Sequence, residues 1–88
     1  MKIENLKLLA LTDQRLILTQ IEEVSADLGE PDCKLIEPFI LNPDSMELTP
    51  WFVNITNQNE FMISSEKILT IMEPNSKLKV KYEDLLKE

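Results

Sequence analysis

The chain has no histidine, one cysteine, one arginine and one glycine in 88 residues. Each shortage excludes a class of chemistry. Without histidine, the commonest general base and metal ligand is missing, and a nucleophile would need a carboxylate to activate it. The lone Cys33 permits neither an intrachain disulfide nor a cysteine-built zinc site. It lies in an alternating apolar run and reads as a buried strand thiol. A single glycine, Gly29, cannot make a glycine-rich phosphate loop. A single arginine, Arg15, leaves little for bidentate reading of bases or phosphates. No apolar run approaches the ~18 residues of a membrane span, and Thr12-Asp13-Gln14-Arg15 breaks the first one too early for a signal peptide. The expectation is a non-enzymatic, cytoplasmic protein with no cofactor, no metal and no membrane contact.

What is present is acid and short apolar segments. Sixteen acidic residues against nine basic ones give a net charge of -7, a field that repels polyanions as a whole. Glu22, Glu23, Asp27, Glu30 and Asp32 follow one another without a base and read as a solvated acidic face. Hydrophobic residues make up 43% of the chain, enough for one thin core, so the whole of 1–88 is expected to be a single domain. At this size, self-association is a favourable way to complete a core.

The apolar pattern predicts mainly β structure. Strands are expected at roughly 6–12, 15–24, 33–41 and 48–56, with a terminal hairpin over 60–73. A helix over about 14–24 is the rival reading of the second. Pro38 removes a ladder donor and predicts an edge position or a bulge near the end of that strand. Trp51, Val53 and Ile55 alternate and are the best candidates for core. The segment Lys67–Glu73 is apolar on both sides, which suits a central strand or a subunit contact. After Pro74, Asn75 or Ser76 can cap a short helix over 76–87 carrying Leu78, Tyr82, Leu85 and Leu86 at helical spacing.

Two stretches carry a family resemblance. Leu8-Leu9-Ala10-Leu11-Thr12-Asp13-Gln14-Arg15-Leu16-Ile17-Leu18 resembles the first hairpin of an Sm-like domain. The run from Met62 to Pro74 resembles its terminal strand pair. Cys33–Phe39 and Thr56–Pro74 look closer still to small Sm-like proteins of marine cyanophages. The resemblance implies a small, strongly bent, five-stranded antiparallel Sm-like barrel, here with a short C-terminal helix. It implies homo-oligomeric rings of about five to seven subunits, closed by pairing of edge strands. RNA is an implied partner, with Asn42, Asp44, Ser65 and Lys67 as the candidate contacts. The family's arginine-glycine pair is replaced by Ser64-Ser65-Glu66-Lys67, and its usual helix before the first strand has no counterpart. The alternative is an assembly protein that binds phage or host protein partners and has no RNA role. A phage-encoded copy would work in the host cytoplasm.

Overall fold

The computed structural model describes residues 5–52 and 55–86. Its elements are β1 (Leu6–Leu11), β2 (Leu16–Glu23), β3 (Cys33–Asn42), β4 (Glu47–Pro50), β5 (Glu60–Ile63), β6 (Ile68–Met72) and α1 (Ser76–Leu86). All strand pairs are antiparallel, in the order β4-β3-β2-β1-β6, with β5 on the other half of β3. The result is a mainly β protein: one unclosed six-stranded sheet and one short C-terminal helix.

The β1–β2 turn closes through the Leu11 amide to the Arg15 carbonyl at 2.9 Å, with Gln14 in the left-handed region at φ 74°. The Asp13 carboxylate accepts the Arg15 amide at 3.1 Å, as turn aspartates do. Residues 16–23 are strand, not helix, because Leu16 and Leu18 serve one side of the sheet while Ile17 and Ile21 serve the other.

That division is the logic of the whole core. Leu9, Leu11, Ile17 and Leu35 form one buried cluster, with Ile21, Ile40, Ile63, Ile68 and Trp51, one of the expected core residues, against it. Leu18, Phe39, Leu41, Leu78 and Tyr82 form the second, on the opposite face. A bulge in β3 makes both possible. Leu18 faces Phe39 and Gln20 faces Ile36, so Thr19 stands opposite both Glu37 and Pro38. Glu37 has φ 52°, and the extra residue puts Leu35 in one core and Phe39 and Leu41 in the other. The proline therefore occupies a bulge in the middle of β3.

The bulge frees carbonyls from the ladder, and side chains satisfy them. The Thr19 hydroxyl lies 3.0 Å from the Ile36 carbonyl. The fully buried Tyr82 hydroxyl shares its one proton between Glu37 O at 2.9 Å and Ile36 O at 3.2 Å, and accepts from the Gln20 amide at 3.2 Å. Tyr82 also meets Phe39 edge-on, ring centres 5.5 Å apart. Asn75 caps α1 by accepting the Leu78 amide at 2.9 Å. The Lys81 ammonium donates to the Met46 carbonyl at 2.8 Å. Leu78 and Tyr82 are buried, whereas Leu85 is 42% exposed.

Three expectations need correction. The 48–56 strand stops at Pro50: Trp51, Phe52 and Ile55 lie in turns, Ile55 is 81% exposed, and Val53 lies outside the described residues. Pro50 ends the ladder, and the Trp51 amide turns back to the Pro38 carbonyl at 3.1 Å. The 60–73 segment is not a hairpin. A single 3-10 turn, Ser65–Lys67, carries the chain from β5 on β3 to β6 on β1. The sheet has six strands, where the Sm-like resemblance implied five. The expected helix end at residue 87 lies outside the described residues.

Candidate functional site

The two ends of the sheet are apolar where water should be. Within the described residues, β6 pairs with β1 on one side and β5 pairs with β3 on one side. Each leaves an outer edge, and exposed edges usually carry charge or proline. Here Leu69 is 73% exposed, Ile71 53% and Met62 50%. Side-chain direction shows what these edges would continue. Ile71 sits opposite Leu9 and Phe61 opposite Leu35, so both belong to the face of the first core. Beside β6 and the facing ends of β2 and β3 lies an open cleft of mixed character, lined by Ile21, Cys33, Ile68 and Ile71 and also by Lys7, Glu22, Glu23 and Asp32. On β6 the face of the first core continues into the exposed side chain of Ile71.

The four candidate RNA contacts do not form one pocket. Ser65 and Lys67 share the 3-10 turn. Asn42 ends β3, and its side-chain oxygen accepts the Asp44 amide at 2.9 Å and the Ser45 amide at 3.4 Å. Asn42 and Asp44 therefore shape the β3–β4 turn. Ser65 is held at the opposite end of β3, where Asp32 accepts its amide at 2.7 Å and its hydroxyl at 2.8 Å. The Lys67 carbonyl accepts the Thr12 amide at 2.9 Å, and the residue is exposed. Asp32 is the contact missing from the sequence reading. It looked like one more solvated acid, because a serine 33 positions away leaves no local signal.

The electrostatics of this corner are acidic. The bonds from the Ser65 amide and hydroxyl hold the Asp32 carboxyl below its ordinary 3.8. Burial, then the charges of Asp32 and Glu23, push the Cys33 thiol up, so it stays protonated and poorly nucleophilic. At the far end of β6, Lys7 binds Glu73 and lowers its carboxyl. The sign for Asp32 is clear. A carboxyl lowered in the fold contributes stability above its unfolded value and loses it as pH falls through the folded one. The Asp32→Asn variant is expected to melt earlier at pH 7 and to lose less further stability than the parent between pH 4 and 2. Melting curves across that range check it; identical acid sensitivity in the two proteins would contradict the clamp.

A second feature lies where β4 gives way to β5. Three of the five aromatic residues converge there. Trp51 and Phe52 stack with ring centres 4.6 Å apart at 18°, and Phe61 tilts against them at 5.9 and 5.7 Å. Neighbours in a strand point to opposite faces. These two stack because Phe52 takes φ 58°, left-handed backbone that costs a bulky residue about 1–3 kcal/mol. The stack returns only about 0.5–1.5 kcal/mol. Among the described residues the buried Trp51 Nε1 has no acceptor, a further cost of about 1–3 kcal/mol. Burial of the rings, with Trp51 packed against the first core, offsets these costs by a few kcal/mol, at about 25 cal/mol per Å² of apolar surface.

Comparison with known proteins adds a family and no activity. A family of unknown function, DUF6561, matches residues 4–87. The chain belongs to that family. No curated protein matches it. The family match spans the sheet, the 3-10 turn and all of α1, so the open edges and the aromatic cluster both lie inside it. Among the described residues no cluster of acidic or cysteine side chains is arranged to hold a metal, and no helix is long and apolar enough to cross a membrane.

Proposed function

We propose that this protein is an Sm-like, non-enzymatic assembly module that joins copies of itself through β5 and β6 into a closed ring, working in the cytoplasm. The observation that carries this reading is the pair of apolar edges. Leu69 and Ile71 on one and Met62 on the other leave both ends of one sheet uncovered. A neighbour's β5 laid along β6 would give both edges their missing backbone partners and extend the first core across the junction. Contact between two different edges is head-to-tail, and such contacts form a ring when the rotation between copies closes and a filament when it does not. Family resemblance puts the ring at about five to seven copies. Amide exchange tests the junction. Residues 60–63 and 68–72 are expected to exchange slowly in the assembled parent and faster in the monomeric Leu69→Glu variant. Equal exchange there in the two proteins would refute pairing.

RNA binding on such a ring is the second reading, and the exposed Lys67 in the 3-10 turn favours it. Asp32 and Glu66 stand beside it and oppose phosphate. If RNA is bound, Lys67→Glu is expected to reduce salt-dependent binding to a short uridine-rich RNA and leave particle mass unchanged, lowering the salt slope by about one. Unchanged affinity would remove Lys67 from that role. Without RNA, phage or host protein partners on the assembled ring are the remaining occupants.

A further inference from the structure

From the side chains on the two free edges we infer a redox control of assembly, in which one methionine on each edge must remain a thioether for copies to join. This rests on the edge-to-edge pairing proposed above. Leucine and isoleucine supply most apolar strand positions, and methionine supplies only two of those described. Met62 lies on β5 and Met72 on β6, so each free edge carries one. Met62 is 50% exposed and Met72 37%, and both side chains reach solvent in the single chain. Register puts them on one face of the sheet. Met62 stands opposite Lys34, and Lys34 opposite Glu22, on the face that also carries Gln20. Gln20 stands opposite Leu6, and Met72 opposite Leu8, two positions along the same face of β1. Both methionines therefore point away from the first core.

A neighbour's β5 laid along β6 brings its Met62 within cross-strand reach of Thr70 or Met72 on that face. The ladder between β6 and β1 shifts register between Ala10 and Leu11, so this edge is irregular. An unbranched, polarizable thioether fits such an edge better than a branched side chain. Peroxide changes the fit. The methionine sulfur attacks one peroxide oxygen; a sulfur–oxygen bond forms, the oxygen–oxygen bond breaks, and water leaves. The sulfur is oxidised by two electrons and the peroxide reduced. The sulfoxide oxygen needs water or a donor where the junction excludes solvent. Oxidation acts on the single chain, where both methionines are open, and blocks its joining. Once chains have joined, each strand covers the other's methionine. The thiol of Cys33 is buried and protonated, which makes it a slower target. Met46 packs against the second core, away from both edges.

The test treats the parent and a variant carrying both Met62→Leu and Met72→Leu with hydrogen peroxide. Leucine keeps the volume and removes the sulfur. Peptide mass mapping locates the added oxygen, and light scattering reads the particle mass. Oxygen on both methionines is expected to weaken association of the parent at least about tenfold, while the variant keeps its mass at the same dose. Methionine sulfoxide reductase with dithiothreitol removes the oxygen as water, the dithiol closing to a disulfide, and should restore the parent's mass. A parent oxidised at both positions that keeps its mass would overturn the proposal and leave the edge pairing standing. So would a variant that dissociates like the parent. Oxidation rates give a second readout that needs no leucine variant. Met62 and Met72 are expected to oxidise at least about fivefold faster in Leu69→Glu than in the parent, with Met46 alike in both. Equal rates at all three would overturn the proposal. An untreated parent that is monomeric at every concentration would remove the edge pairing itself, and the control with it.

Discussion

Tyr82→Ala is expected to cost about 3–5 kcal/mol, a large share of the ~5–10 kcal/mol available to a domain of this size. Tyr82 is fully buried at the centre of the second core. Its ring joins α1 to Phe39, and its hydroxyl serves the two bulge carbonyls. Truncation leaves a cavity under the helix and carbonyls without a donor. Tyr82→Phe isolates the second effect and is expected to cost about 1–2 kcal/mol. Urea denaturation of the three proteins measures both. A near-neutral Tyr82→Ala would mean that α1 does not pack as described. The group also sets an alkaline limit. Burial pushes the Tyr82 hydroxyl up to about 12, above its ordinary 10.0. A pKa raised by folding contributes stability that is complete below pH 10 and lost as pH rises through 12. Tyr82→Phe should lack that component of alkaline loss.

Leu69→Glu is expected to dissolve the assembly and leave the subunit folded. At 73% exposure, Leu69 gives the isolated chain little packing, so the variant should fold as a monomer and melt lower than the parent only by what assembly contributes. In a junction the same side chain would be covered, worth about 1.5–3 kcal/mol, and a buried unpaired carboxylate would add a larger penalty at every contact. Sedimentation velocity should show the particle collapse to single chains. A particle of unchanged size would place the contact elsewhere.

The fold was legible where side chains alternate cleanly. Leu16 to Ile21 marked a strand with two apolar faces, and Pro74 with the spacing of Leu78, Tyr82 and Leu86 marked the helix. The doubled apolar pattern has a cause that periodicity does not reveal: α1 covers one face of strands whose other face forms a separate core. Pro38 signalled an edge position or a bulge near the end of its strand; the bulge is there, but in mid-strand. Two readings failed because a local pattern was outweighed by distant pairing. Trp51 and Ile55 alternate like a strand, yet Pro50 ends the ladder and the Trp51 amide is captured by Pro38. Phe61 and Ile71 flank a tight turn like a hairpin, yet β3 and β1 claim one each. The candidate site was less legible. Ser65 and Lys67 were marked, but the Asp32 clamp and the Trp51–Phe52 stack depend on tertiary contact and on one left-handed residue, and neither leaves a motif.

The measurement that bears most directly on the assembly is the solution mass of the unmodified protein by light scattering, taken across concentration and salt. Apolar edges that pair along their backbones predict a stable mass of about five to seven chains, little changed by salt because the junction holds few charges. A monomer at every concentration would contradict the ring and leave Leu69 and Ile71 exposed without a role.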